Sequence, residues 1–413
     1  MTGRHELLVP GDGRRVSVAG RNGRATTQGS TALTRLRWRH EAAVLKAIAT
    51  PGGSTRAQIG ADTGLSRTTL HAIISRLIGA GAVIEQRTAQ PESSMGRPTS
   101  HLLINPVGGH YLGVDMGRRD VWFAVANCAF TIVGTTCVPL PKHRDRAARA
   151  AAIADMASEF LASQGLPATG IRGIGLGVTG PTRDDQVRAA PVPPSDEATP
   201  VEAAALVAAL DAPIAVGNNS RLAALGELTW GVANGYTDVV YLRVGAGIGG
   251  GVILGGTLLT GRRGAAGEIG HVTVDADGPR CYCGSRGCLE TYASEPAVLR
   301  QAGARGLAVR DAAALVAAAA GGSADARDLL TVAGRQIGAV LAGISAVIDP
   351  ELFVIDGQFV RGDTSLVRSA ARTLREYSVR AADPAPRVQA AALGPECGAL
   401  GAIASIAQQQ YLI

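Results

Sequence analysis

No uninterrupted apolar run in the 413 residues is long enough to cross a bilayer. The N-terminus, MTGRHELLVPGDGRRVSVAGRNGR, lacks the charged-then-apolar order of a secretory leader. Together these absences speak against a membrane or exported protein and lead to the expectation of a cytoplasmic one. There is no short-period repeat and no low-complexity block. The six cysteines lack the even spacing of a disulfide framework, since three of them fall between Cys281 and Cys288. Acidic residues are scarce in one place only. Residues 1–106 hold fourteen Lys/Arg against six Asp/Glu, whereas the remainder holds 26 against 28. All the excess positive charge of a +6 chain therefore sits in its first quarter, the footprint of a polyanion-binding module attached to a near-neutral body.

What is present suits a globular protein of two or three folding units. Apolar residues make up 46% and charged residues 18%, enough for a sizeable core. Residues 1–35, rich in Gly, Arg, Ser and Thr, read as a disordered basic arm. From Trp38 onward His40, Ala43, Val44, Ala47 and Ile48 fall on one helical face, which stops at Pro51-Gly52-Gly53. A second helix is expected over Thr55–Ala61, capped by Ser54, with a turn at Asp62-Thr63-Gly64. Ser66 caps a third, Arg67–Gly79, whose inner face is Leu70, Ile73, Ile74 and Leu77. Val83-Ile84 and His101–Ile104 alternate like a hairpin with Gly96-Arg97-Pro98 at its tip.

Three helices, a tight turn and a hairpin are the order of a winged helix-turn-helix, here expected over residues 36–106. Arg67, Thr68, Thr69 and His71 would face bases in the major groove, beside the capping Ser66. Arg56 and Arg76 would meet phosphates, and Arg97 would lie along the minor groove.

The rest reads as α/β, in two lobes expected over 107–235 and 236–413, with the C-terminal helix free to return to the first. Expected strands are Tyr111–Asp115, Val121–Ala126, Thr131–Val138, Ile171–Val178, Ile214–Val216, Val239–Val244, Gly251–Leu254 and Leu352–Ile355. Helices are expected over Arg146–Ser163, Arg221–Trp230, Ala324–Ile348 and Cys397–Gln409.

His271, Cys281, Cys283 and Cys288 offer one imidazole and three thiolates in a spacing that suits tetrahedral zinc. Four protein ligands leave no open position, so the expected Zn2+ is structural.

With these residues in hand, the chain from about residue 38 resembles the ROK family, which groups bacterial repressors and sugar kinases on the actin-like ATPase fold. The resemblance is carried by Gly245–Gly251, by Gly264-Ala265-Ala266-Gly267-Glu268-Ile269-Gly270-His271, and by the cysteine cluster running into Leu289-Glu290. It implies an N-terminal winged helix-turn-helix followed by a two-lobed, hexokinase-like (ribonuclease H-like) body. It also implies a sugar site of Asn218, Asn219, Glu268, His271 and Glu290, with one ring nitrogen of His271 toward zinc and the other toward sugar. The loop Gly177–Pro181 resembles the family's other sugar-side loop.

Against the kinases of the family, four places depart. The Asn-Asp pair whose Asp is the base reads Asn218-Asn219, and an amide cannot take the sugar proton. The first phosphate loop reads Asp115-Met116-Gly117-Arg118-Arg119, the second Gly245-Ala246-Gly247, and the nucleotide-side Gly-Gly reads Asp356-Gly357. The resemblance therefore implies a sugar-responsive transcription regulator, most simply a repressor of carbohydrate genes, without kinase activity. Its partners would be double-stranded operator DNA, a sugar or sugar derivative and further copies of the chain, as a homodimer or homotetramer, with no membrane. Two alternatives stand beside it: a sugar kinase that has kept ATP-dependent phosphorylation, and a repressor governed by a protein partner.

Overall fold

The structure, a computed structural model, describes residues 7–8, 15–16, 40–41, 43–45, 47–49, 52–79, 81–87, 100–105, 108–142, 145–180, 182, 187–188, 201–378 and 386–410. Arg97 and most of the expected basic arm lie outside these residues. Within that arm, Leu7–Leu8 pairs antiparallel with Arg15–Val16.

The N-terminal segment is helical at 40–41, 43–45 and 47–48, then forms helices Arg56–Thr63 and Arg67–Gly79. The second of these helices buries Leu70, Ile73, Ile74 and Leu77, the apolar face expected from the 3.6-residue period, against Val44, Leu45, Ile48 and Ile59. Ser100–Ile104 pairs antiparallel with Val83–Arg87 on one side and with Ser54–Thr55 on the other.

One local expectation is corrected. Ser54 does not cap the first of these two helices; it is drawn into the sheet and donates to the carbonyl of Ala47. Thr55 takes the cap instead. Its hydroxyl accepts from Gln58 N while the Gln58 side chain accepts from Thr55 N, a reciprocal box that starts the helix one residue later. The helix also runs on to Thr63, and Gly64, at φ 65°, supplies the left-handed residue that ends it.

The body contains two sheets built on one plan, an antiparallel meander extended by parallel strands. The first has the order Val187–Arg188, Ile214–Asn218, Ile171–Val178, His110–Met116, Asp120–Asn127, Ile132–Pro139. The second has the order Thr257–Leu258, Ile248–Leu254, Val239–Val244, Leu352–Gly357, Arg387–Ala390. Helices Asn219–Trp230 and Cys397–Gln410 pack on each other, and the C-terminal helix lies against the first sheet. Gly113 and Gly175 make this possible, because a Cβ at either would fall on backbone of the C-terminal helix, at Ala399 and Ala402.

Strand Ile248–Leu254 starts three residues earlier than its sequence suggests. Gly249, Gly250 and Gly251 depress strand propensity, yet a Cβ at Gly251 would come within 2.7 Å of Ala224 Cβ, so close helix packing selects glycine there. Ala324–Ile348 is long and apolar enough to span a membrane by length and composition. Its buried residues, among them Leu330, Ile337 and Leu341, pack on helix Ser365–Tyr377 and share a core with Val240, Leu242 and Phe353 of the second sheet.

Candidate ligand site, metal cluster and nucleic-acid face

Asp115, Gly177 and Gly217 stand abreast near the C-terminal ends of three neighbouring parallel strands. This is the end of such a sheet where ligands bind. The chain then turns into helix Asn219–Trp230 with Asn218 as its N-cap. Asn218 Oδ1 accepts from Ser220 N and Arg221 N, each at 3.0 Å, and Nδ2 donates to the carbonyl of Gly180 at 2.9 Å. Three of its four hydrogen-bonding positions are therefore committed to the scaffold, and one N–H proton remains for a ligand. Asn219 follows, and a Cβ on Gly177 would lie 3.3 Å from Asn219 Cβ and 3.4 Å from Asp115 Oδ1, so Asn219 and Asp115 meet over the same face of Gly177.

Beside the second sheet, Glu290 opens the short helix Glu290–Ala293, and its Oε2 accepts from Ile248 N at 2.8 Å. A Cβ on Gly247 would sit 2.5 Å from that carboxylate, so glycine is what lets Glu290 reach the strand. Glu268 is half-buried, and its Oε2 lies 4.0 Å from His271 Nε2.

The loop that carries these groups closes on itself. Thr273 bridges to Cys288, Arg280 to Arg286, and Leu289 N donates to Val272 O. The ligand atoms of His271, Cys281, Cys283 and Cys288 consequently all lie within 4.8 Å of one another. Cys281 Sγ is 3.6 Å from His271 Nδ1, and Cys283 Sγ is 3.6 Å from Cys288 Sγ. A tetrahedral ion with Zn–S bonds of about 2.3 Å spaces its sulfurs ~3.8 Å apart, so the four groups could hold a metal of that kind. Burial, with the Cys283 and Cys281 thiols beside it, pushes Cys288 up to about 12, whereas the Ser285 N–H holds Cys283 below the usual thiol range. A cation would supply the charge that thiolates gathered this closely need. His271 presents Nδ1 to the cysteines and Nε2 outward, 3.2 Å from the hydroxyl of the exposed Tyr282.

Two further residues link the first sheet's segments to the second's and carry no motif. Arg221 is fully buried and donates to the carbonyls of Thr182 and Thr260, each at 3.2 Å, tying a loop after the first sheet to one after the second. Arg243 reaches Asp115 at 3.3 Å and lies 3.8 Å from Asp356. The available signal was an Arg set inside the otherwise uncharged strand Val239–Val244.

In the N-terminal segment, Arg67, Thr68 and His71 are exposed at the start of helix Arg67–Gly79, with Thr69 half-buried. Ser66 Oγ accepts from Thr69 N at 3.2 Å, so the expected cap is present. Arg56 and Arg76, expected at phosphates, are each paired with a carboxylate within the segment. Arg56 makes a bidentate pair with Glu85 at 2.5 and 2.9 Å, and Arg76 pairs with the buried Glu41. Glu41 is buried, and Arg76 supplies the partner charge that its burial requires.

A profile of the ROK family matches residues 111–410. The chain belongs to the ROK family. Among its ROK relatives, a xylose repressor of Bacillus subtilis (strain 168) is 31% identical over 257 residues, 62% of this chain and 66% of the repressor. The chain thus spans slightly under two thirds of that relative's length. A kanosamine kinase of Amycolatopsis mediterranei (strain S699) is 31% identical over 299 residues, 71% of this chain and 95% of the kinase. A solved ROK family transcriptional regulator, a homolog of the E. coli MLC protein, superposes with a TM-score of 0.75 at 25% identity, covering 92% of this chain and 97% of its own. The body accordingly has the mixed α/β ROK fold, shared by repressors and kinases.

Proposed function

We propose that this ROK protein is a sugar-responsive, DNA-binding transcription regulator, acting as a repressor of carbohydrate genes, whose body has lost kinase chemistry. On this reading residues 36–106 form a winged helix-turn-helix. Arg67, Thr68, Thr69 and His71 read bases, and Arg97 follows the minor groove. Residues 107–235 and 236–413 form the two lobes of the effector body, apart from the C-terminal helix that packs on the first sheet. Glu268, Glu290 and His271 Nε2 take sugar hydroxyls, with Asn219 and the remaining Asn218 proton on the opposite wall. Carboxylates and amides make paired hydrogen bonds to vicinal hydroxyls and reject analogues that lack them. Zn2+ held by His271, Cys281, Cys283 and Cys288 would orient His271.

The observation that carries the reading is the chemistry around Asn219. The position where the family's kinases place a proton acceptor holds an amide, and the neighbouring carboxylate, Asp115, is already paired with Arg243. The solved ROK regulator covers 92% of the chain, reaching into the N-terminal segment, whereas the kanosamine kinase covers 71%. Sugar binding between the lobes would alter how two copies present their recognition helices, and half-site spacing makes DNA affinity sensitive to that change.

Genome-wide mapping of bound sites, followed by operator binding with and without the sugars nominated by neighbouring genes, tests the reading. A DNA affinity that no sugar alters would remove the effector step. The alternative of a working sugar kinase is separated by a coupled ATPase assay on the wild type and on Asn219→Asp. Turnover by the wild type at ordinary kinase rates would establish the alternative.

A further inference from the structure

Four charged side chains meet on the floor between the two body sheets. Asp115 belongs to the first sheet; Arg243 and Asp356 are register partners in the second; Arg361 follows strand Leu352–Gly357. Asp115 and Asp356 are each 2% exposed. Arg243 donates to Asp115 Oδ2 at 3.3 Å, lies 3.8 Å from Asp356 Oδ2 through Nε, and reaches the Pro395 carbonyl at 3.5 Å. Asp356 also accepts from Tyr241 OH at 2.6 Å and from Arg361 at 3.3 Å, with the Cys397 thiol at 3.5 Å. Gly398 lies so close to Asp115 that any Cβ there would collide with the carboxylate. The C-terminal helix, the first sheet and the second sheet therefore converge on one neutral set of two carboxylates and two guanidinium groups.

Two buried carboxylates facing each other across an interlobe floor need a cation. Oxygen donors of this kind suit Mg2+, alone or bridging to phosphates. Here the cation is covalently part of the chain. Burial works against the charge of Arg243, but the groups around it, Asp115 and Asp356 among them, hold its pKa above the ordinary arginine value. Burial pushes Asp115 up, and Arg243 and Asn219 pull it back.

We propose that Arg243 is a built-in counter-ion that latches the two lobes together across the cleft floor and displaces the divalent cation, and with it any nucleotide, that the two aspartates would otherwise recruit. The latch is independent of which sugar or DNA the protein serves, so its test is separate from that of the regulatory reading. Arg243 is a positioning residue: it acts through the aspartates on the relation of the sheets.

The test is thermal melting and small-angle scattering of the full chain, wild type against Arg243→Met, with and without MgCl2 or Mg-ATP. The wild type is expected to melt at the same temperature under all three conditions. Arg243→Met should melt lower by about 5 °C or more, because the buried Asp115 loses its cationic partner and Asp356 is left with Arg361 alone. It should also scatter as a more open particle and regain part of the loss in MgCl2. Arg243→Met combined with Asp115→Asn removes the unpaired charge and should recover most of the stability without magnesium. Should Arg243→Met fail to fold, the double variant carries the test, and its failure to recover would overturn the proposal. So would an Arg243→Met protein that melts and scatters like the wild type, or a wild type stabilised by Mg-ATP.

Discussion

The two ends of the body cleft solve opposite electrostatic problems. At the cysteine-loop end, Glu268 Oε2 lies 4.0 Å from His271 Nε2, and Glu290 is held by a backbone contact from Ile248 N rather than by an opposite charge. At the floor, Asp115, Arg243, Asp356 and Arg361 pair their charges with one another, although Asp115 pairs with Arg243 through Oδ2 alone. Polar groups held by backbone keep hydrogen-bonding capacity for a ligand; charges paired with each other have little left for one. If the proposed reading holds, the difference teaches how a site can keep recognition while giving up transfer.

The strongest way to break this comparison is at the cysteine cluster. Cys288→Ser is expected to abolish metal content, from about one zinc per chain to none by elemental analysis. Effector affinity should then fall by about 100-fold as His271 and Glu290 lose their common support. Full effector affinity in a metal-free variant would separate the two functions of the loop.

Next in size, Glu268→Ala should weaken effector binding by about 30- to 100-fold in calorimetry, with melting temperature nearly unchanged, since Glu268 is half-exposed and braces little. A large fall in stability with unchanged affinity would assign Glu268 to the loop instead.

At the floor, Asn219→Asp should raise ATP turnover by less than about tenfold, because Asp115 remains paired with Arg243 beside it. Brisk phosphorylation by that single variant would dissolve the contrast between the two ends.

The smallest effect serves as a control remote from both ends. Glu351 accepts from Thr237 N at 2.7 Å and Asp238 N at 3.0 Å, and these N–H groups hold its carboxyl below 4.5. A lowered acid contributes stability above its unfolded pKa and loses it as pH falls through the folded one. Glu351→Gln should therefore be slightly less stable than wild type at pH 7, with the gap closing as pH drops below about 4.5. Effector affinity should not change at all.

Much of this molecule was legible in its sequence because the determinants are local. The apolar face of Arg67–Gly79 follows the helical period, and the Ser66 cap lies one residue before it. His271, Cys281, Cys283 and Cys288 declare a metal cluster by residue type and spacing, and the structure brings their ligand atoms together as the spacing suggests. Strands built of Val, Ile and Leu announce themselves, whereas Ile248–Leu254 hides its start behind three glycines, of which Gly249 and Gly251 make room for helix Asn219–Trp230 and Gly250 for Ile269 and the backbone at Gly267.

Residue chemistry and short-range periodicity were thus settled by the chain itself: which segments coil or extend, which thiols sit together, where positive charge concentrates. Partnership across the fold was not. That Arg56 pairs with Glu85, that Asn218 caps a helix and keeps one N–H to spare, and that Arg243 meets Asp115 are all set by the fold. Coulombic and hydrogen-bond pairing depends on distance in space, and between groups more than a hundred residues apart, as with Arg243 and Asp115, only the order and register of the strands determine that distance.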